Sequence, residues 1–467
     1  MGKRIIVIGA GPGGYVAAIR AAQLGGAVTI VEKGNLGGTC LNRGCIPTKV
    51  LLHSAELLTA LTHGGPASGI FADNVRFDWS AIMNRKAQVV ERLQTGVSAL
   101  IRSNAITHIR GEAKLVAPTV VEIAGQRLEA DAVVIATGSV PAIPVVAGLD
   151  LEGVITSDGA LSLETLPQSI AIIGGGVIGV EFASIFASFG VSVTVVEMLP
   201  GVLPGIDTEI AGILCKVLTQ KGVRFHTGTR LRDVSKKGEG LRVRMEGPEG
   251  PVCLDVDKLL VAAGRLPNTA SLGLERLGMA MDATRVVTDE RMRTNIQGLY
   301  AVGDCTSRIM LAHVAEHEGR VAAENIMGHD AVMDYSAVPL AIHTTPAVAC
   351  VGLTEENAEK SGHTVKVGRF PLIANGKSLI AGDSAGMVKV VAGMQHDEIL
   401  GVHIVGGPAT DMIAEGVLAL NLESTLEDMI STIHAHPTVT EAVAEAAMEA
   451  LGRAIHIPGP FADKRSA

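Results

Sequence analysis

A chain of 467 residues is long enough for about three domains, and 47% hydrophobic residues with 55 glycines fit a globular α/β protein rich in tight turns. Aromatic residues at 3% leave few platforms for stacking bases, and a net charge of -9 excludes nucleic acid and anionic membrane as natural partners. No apolar run is long enough to span a membrane, and Lys3 and Arg4 lead into IIVIGAG with no secretory or transit segment before it, so a cytoplasmic location is expected.

Residues 5–8 read as a short buried strand that enters a GxGxxG turn at Gly9, Gly11 and Gly14. A helix is expected over 14–24 and a second strand over 29–31, ending at Glu32. In such a unit the turn brings backbone close to a pyrophosphate, the helix N-terminus faces its charge, and the acid accepts ribose hydroxyls.

The next stretch, GGTCLNRGCIPTK (37–49), opens a helix expected over 48–61. Cys40 and Cys45 have four residues between them. On a helical turn, thiols at that spacing meet only if the turn is distorted, and Gly37, Gly38 and Gly44 supply the freedom for it. A redox pair and two unrelated buried thiols both fit the spacing. Position favours the redox pair, because it follows directly on a dinucleotide unit and a redox cofactor is expected beside it. The other cysteines (Cys215, Cys253, Cys305, Cys350) are scattered singly, which is no disulfide framework and suits a reducing compartment.

The unit then recurs. A strand over 170–173 leads into Gly174, Gly176 and Gly179, a helix, a strand over 192–196 and Glu197, with the same separation from first glycine to acid as in the first copy. Each copy also ends in a similar strand and turn, DAVVIATGS (131–139) and KLLVAAGRLPN (258–268). Two such units imply two nucleotides held face to face, as a flavin and a nicotinamide must be to exchange hydride. Glu197 favours NAD, since a carboxylate repels a 2′-phosphate and no arginine occurs between positions 197 and 206 to receive one.

TNIQGLYAVGDC (294–305) is an apolar strand ending in Gly303-Asp304, by itself compatible with a simple Asx turn. In LAHVAEHEG (311–319), His313 and His317 could share a metal but have no third ligand near, so no metal is expected. Beyond residue 330, strands over 347–353, 387–391 and 399–405 alternate with helices over 354–361 and 410–420, reading as a separate α+β domain. Its last helix follows HAHPT (434–438), where Thr438 and Glu441 form an S/T-x-x-E capping box.

GGTCLNRGCIPTK, the two glycine turns, the GDC segment and HAHPTVTE together resemble the FAD-dependent pyridine nucleotide–disulfide oxidoreductases, over residues 4–453. Within that family the pattern is most similar to the branch that oxidises protein-bound dihydrolipoyl groups with NAD. The resemblance implies an α/β fold of two Rossmann-like domains, for FAD and NAD, and a C-terminal α+β dimerisation domain. Expected boundaries are 1–145 and 268–336 for the FAD domain, 146–267 for the NAD domain and 337–467 for the interface domain. It implies FAD contacts at Gly9, Gly11, Gly14, Glu32, Lys33, Gly38, Thr39, Lys49, Ala113, Thr137, Gly138, Asp304, Ala312 and His313, and NAD contacts at Gly174, Gly176, Gly179, Glu181, Glu197 and Gly264.

It further implies a Cys40–Cys45 redox disulfide with Cys40 outermost, and an ion pair of Lys49 with Glu181 beside the flavin. His436, before a cis proline bond, is the implied acid–base catalyst, oriented by Glu441. The remaining implications are a homodimer with composite sites and, as partner, the lipoyl domain of an acyltransferase or of a glycine cleavage carrier protein. Arg43 departs from the small apolar residue common in relatives. Another disulfide reductase of the family, using NAD or NADP, or a non-catalytic flavoprotein subunit are the alternatives; the cysteine pair with His436 argues against the latter.

Overall fold

The computed structural model describes residues 2–65, 68–306 and 309–458; residues 459–467, the end of the expected interface domain, lie outside them. Two five-stranded parallel sheets share one design. The first runs Leu299–Ala301, Ala132–Ile135, Arg4–Ile8, Ala27–Glu32, Thr107–Arg110. The second runs Arg224–His226, Ser192–Val196, Ser169–Ile173, Lys258–Val261, Val154–Thr156. Their central strands, IIVI and IAII, are buried throughout, as unbroken apolar strands covered on both faces must be. Each unit also carries a three-stranded antiparallel sheet, over 113–129 and 230–256, which its sequence did not announce.

The two units share a core. Helix Val177–Ser188 of the second is buried almost all round, with Phe182, Ile185 and Phe186 packed in one cluster with Leu51, Leu52 and Ala55 of helix Cys45–Thr59. Each such large apolar side chain contributes about 1.5–3 kcal/mol. In the first unit, helix Ala312–Met327 lies on helix Pro12–Gln23 so closely that a Cβ on Gly319 would sit 2.4 Å from the Gly13 carbonyl. That contact returns a distant segment to the first glycine turn.

The third sheet is antiparallel, in the order Leu340–Ile342, Val348–Gly352, Ile399–Val405, Met387–Gly393, Val365–Pro371. Its outer strands, 340–342 and 365–371, are additional to those expected from sequence. Lys389 on this sheet, 3% exposed, meets Asp207 at 2.7 Å, Glu355 at 2.8 Å and Glu209 at 3.3 Å. Asp207 caps helix Thr208–Gln220 through the Glu209 and Ile210 N–H groups, so the ion cluster joins the α+β unit to the second dinucleotide unit. Burial pushes Asp207 up, but the Lys389 hydrogen bond and charge outweigh it and hold the carboxyl below its usual range.

Candidate active site

The cysteine stretch folds as two helices, Gly38–Arg43 and Cys45–Thr59, broken at Gly44. Cys40 lies in the first and Cys45 opens the second. Gly38 has φ of +60°, and a Cβ there would lie 2.4 Å from the Gly11 Cα, so the short helix is pressed onto the first glycine turn. Cys40 and Cys45 are half-buried thiols that hydrogen-bond each other. Cys40 is raised by that bond and by burial. Cys45 is lowered, chiefly because the Cys40 thiol donates to its sulfur, with the Lys49 charge acting in the same direction against burial. The environment thus favours the anion at Cys45 over that at Cys40.

Lys49, one turn after Cys45, donates to both oxygens of Glu181 at 2.8 and 2.9 Å. Glu181 is 4% exposed and also accepts the His343 N–H at 2.8 Å. Burial and Lys49 hold the neighbouring His343 ring below its ordinary range, so it stays neutral.

The two glycine turns match bond for bond. Gly9 N–H donates to the Val31 carbonyl and Gly174 N–H to that of Val196. A Cβ on Gly14 or Gly179 would sit 1.9 Å from the carbonyl of Gly9 or Gly174, so both glycines serve helix–strand packing beneath the turn. Glu32 accepts from the Ala10 and Gly34 N–H groups at 2.8 and 2.7 Å, and Glu197 from Gly175 and Leu199 at 2.7 and 2.8 Å. Even the strand ends that follow pair with each other: Ser139 after Gly138 and Arg265 after Gly264 lie in one antiparallel ladder.

All this surrounds one cavity of about 1150 Å³. Its walls hold Gly9, Gly11, Glu32, Lys33, Gly38, Thr39, Cys40, Cys45, Lys49, Thr137, Gly138, Asp304, Ala312 and His313 with Gly174, Gly176, Glu181, Glu197 and Gly264. Gly14 and Gly179 lie behind the wall. Ala113 is not on it; its methyl is buried in the cluster under the first sheet. His313 is tied by its ring to the Pro339 carbonyl, and no group of three or more metal-ligating side chains occurs among the described residues. No described helix is long and apolar enough to cross a membrane.

The cavity fits two dinucleotides. The helices starting at Pro12 and Val177 have glycine N-caps with no side-chain acceptor, leaving their first N–H groups to an anion. A Cβ at Gly138 or Gly176 would meet no protein atom within 4 Å, so it would stand in space a ligand can use. Three wall residues were not singled out from sequence. Arg265 Nε donates to Ser139 Oγ at 2.7 Å, and that hydroxyl donates to Asp304 Oδ2 at 2.5 Å. Arg230 also reaches the wall: position 197–206 contains no arginine, yet a later strand delivers one to the same lobe. Arg43 sits on the wall too, 3.6 Å from Asp158 of the second unit.

His436 and Glu441 stand elsewhere. His436 Nδ1 meets Glu441 Oε1 at 2.8 Å, the His436–Pro437 bond is cis, and the ring is 79% exposed and not part of the cavity wall. The capping box expected of Thr438 and Glu441 does not form. The helix begins at Glu441 with Thr440, already helical, as N-cap, and the Thr438 hydroxyl goes to the Ala435 carbonyl and to Thr440. Glu441 instead divides its two oxygens, Oε1 to His436 and Oε2 to the Thr438 N–H at 2.8 Å. One carboxylate thus serves the His436 ring and the Thr438 backbone at once.

The chain belongs to the pyridine nucleotide-disulphide oxidoreductase family: the model of that family matches residues 3–319, and the model of its dimerisation domain matches residues 338–447. It is accordingly an oxidoreductase whose cofactors are FAD and NAD(H). Within the family its relatives are dihydrolipoyl dehydrogenases. It is 43% identical to the one from Thermus scotoductus and 42% to that of Chlamydia muridarum, in each case over 97% of this chain and 98% of the relative. With the mitochondrial dihydrolipoyl dehydrogenase of Pisum sativum it shares 39% over 97% of this chain and 92% of the relative. Among solved structures, LpdA from Mycobacterium tuberculosis superposes with a TM-score of 0.88 at 28% identity, covering 95% of this chain and 99% of that one. The HOCl-induced flavoprotein disulfide reductase RclA from Escherichia coli does so with 0.86 at 28% identity and the same coverage.

Proposed function

We propose that the protein oxidises a protein-bound dihydrolipoyl group to its disulfide with NAD⁺ as final acceptor, through a Cys40–Cys45 redox pair. The observation that carries this is the asymmetric thiol pair on the wall shared by both glycine turns, with Cys45 the acidic partner beside Lys49. The lipoyl domain of an acyltransferase, or a glycine cleavage carrier protein, is the proposed donor. The residue boundaries proposed for the units are 1–145 with 268–336, 146–267 and 337–467, and the proposed location is cytoplasmic.

Oxidation starts from the disulfide form of the pair. His436 Nε2 takes the proton of one substrate thiol, Glu441 holding the opposite nitrogen. The substrate thiolate attacks Cys40 Sγ, the S–S bond breaks, and Cys45 Sγ leaves with the electron pair. The Lys49 charge, one helical turn away, favours the Cys45 anion as it leaves. The second substrate thiol then attacks the first substrate sulfur, closing the lipoyl disulfide. Cys40 Sγ departs and takes up the second proton, and the first stays on His436. The chain is left with the Cys40 thiol, the Cys45 thiolate and an imidazolium. The first glycine turn would hold FAD and the second NAD⁺, and together the two would supply the acceptor chemistry for the electron pair left on Cys45. Lys49, paired with Glu181, holds a fixed positive charge one helical turn from Cys45.

His436 of one chain is proposed to serve the cysteines of a second copy, giving a homodimer with two composite sites. Support comes from its exposure and its position off the cavity wall, together with the match of residues 338–447 to a dimerisation domain. Steady-state turnover of dihydrolipoamide with NAD⁺ and with NADP⁺ tests the function. Robust NADH production is expected, and no turnover with either nucleotide would overturn the proposal.

A further inference from the structure

The two dinucleotide units differ at one place that bears on nucleotide choice. In the first, the Gly111 N–H donates to the Glu32 carbonyl at 3.0 Å, and the next residue, Glu112, pairs with Lys33 at 3.6 Å. In the second, the Thr229 N–H donates to the Glu197 carbonyl at 2.9 Å, and the next residue is Arg230. The counterpart of Lys33 is Met198. Where the first copy carries an ion pair at these two positions, the second carries an arginine and a methionine, and both line the cavity with Glu197.

Arg230 is exposed, and among the described residues no carboxylate lies within ion-pair distance of its guanidinium. The acid opposite it in the strand ladder, Glu246, is taken by Arg232 at 3.8 Å. The Gly228 N–H donates to the Leu199 carbonyl at 2.8 Å, which fixes this strand start against the loop after Glu197. The backbone of Arg230 is thus tethered next to that of Glu197, and its guanidinium, free of an acidic partner, shares the cavity wall with that acid.

We infer that Arg230 is a latent acceptor for the 2′-phosphate of a phosphorylated dinucleotide, and that the Glu197 carboxylate alone keeps such a nucleotide out. This rests on the second unit being the NAD site. Glu197 is 7% exposed and fixed by two backbone N–H groups, so it cannot swing away from an incoming phosphate. Its charge opposes the phosphate, and Arg230 supplies attraction that cannot prevail while the carboxylate is present. Removing only the charge leaves a guanidinium able to hold phosphate by paired N–H donors. The preference should then reverse and not merely fade.

The test measures calorimetric affinities of the flavin-loaded protein for 5′-ADP and 2′,5′-ADP. In Glu197→Gln, 2′,5′-ADP should tighten by about tenfold or more, as one charge-assisted pair would give. Adding Arg230→Ala should abolish that gain. Arg230→Ala alone, at an exposed site, should weaken 2′,5′-ADP several-fold more than 5′-ADP, and it remains readable if Glu197→Gln loses its flavin. A gain that survives in the double variant overturns the inference, as does Arg230→Ala affecting both ligands alike. No gain in a Glu197→Gln protein that still binds 5′-ADP also overturns it, while leaving the NAD site intact. If the unsubstituted protein binds neither NADH nor 5′-ADP, the assignment of the site itself falls.

Discussion

Lys49 and Glu181 act on Cys45 with opposite signs, so two substitutions in one ion pair should move its titration in opposite directions. Lys49 favours the Cys45 thiolate and Glu181 disfavours it. Side chains one helical turn apart are roughly 5–6 Å from each other. At an effective dielectric of about 20, a unit charge at that distance acts with about 3 kcal/mol, or roughly two pKa units at most. Lys49 is 31% exposed, and water screens part of this, so Lys49→Met should raise the Cys45 midpoint by about one unit. Glu181→Gln removes the farther, opposing charge and should lower it by less.

Stability adds a second asymmetry. Lys49→Met strands a carboxylate that is 4% exposed with only the His343 N–H for company, a loss of about 3 kcal/mol. Glu181→Gln leaves a lysine that can turn to water and should cost about 1 kcal/mol. The assay is the pH dependence of iodoacetamide alkylation of the reduced protein, read on the Cys45 peptide by mass spectrometry, beside urea unfolding. Shifts of the same sign in both variants would refute the electrostatic assignment.

Cys40→Ser keeps a hydroxyl to donate to Cys45, so the acidic thiolate and its charge-transfer absorbance should persist while lipoyl turnover is lost; Cys45→Ser should lose both. Mixing inactive Cys40→Ser chains with inactive His436→Gln chains should restore activity once subunits exchange, and verified exchange without activity would mean the base serves its own chain. Lys389→Met should lower stability by about 3 kcal/mol in urea. Because Asp207 sits below its unfolded pKa, its contribution is full above the ordinary carboxylate range and is lost as pH falls below it, so the variant's acid limb should be flatter.

What the sequence made legible was local. The glycine turns and their acids are set by spacings within about 30 residues, and the structure reproduces them in both copies; the distorted cysteine turn, equally local, occurs in the first alone. The α/β fold and the separate α+β unit followed from the apolar runs. Illegible features came from chain folded back from afar. Arg265 and Ser139 find each other across 126 positions, although AGR and TGS occupy matching ends of the repeat and their pairing could have been suspected. His343 reaches Glu181 through its backbone, which no side-chain motif records. Arg230 lies more than 30 positions beyond Glu197, outside the loop that follows the acid, and only the hydrogen bonds to residues 197 and 199 bring its strand alongside. Thr438 and Glu441 carry a correct cap pattern, but the helix begins at Glu441 and not at residue 439, too late for Thr438 to cap it.

The acids around the proposed chemistry share a property that governs how they should be probed. Glu32 and Glu197 each accept two backbone N–H groups, Glu181 holds Lys49 and a backbone N–H, and Glu441 holds His436 and a backbone N–H. Each carboxylate oxygen has two acceptor sites, so Glu32 and Glu197 can still receive ribose hydroxyls while bracing their loops. An alanine at any of the four removes a function and a loop support together, leaving N–H groups unpaired at about 1–3 kcal/mol each where they are buried. Glutamine keeps the shape and one acceptor while removing the charge. A charge-based role predicts that glutamine is nearly as damaging to activity as alanine while protecting stability. A bracing role predicts that glutamine, which can accept only one of the two donors, recovers both in part. At Glu197 the two roles separate most cleanly, because the charge should act only against a 2′-phosphate and the bracing should act on either nucleotide.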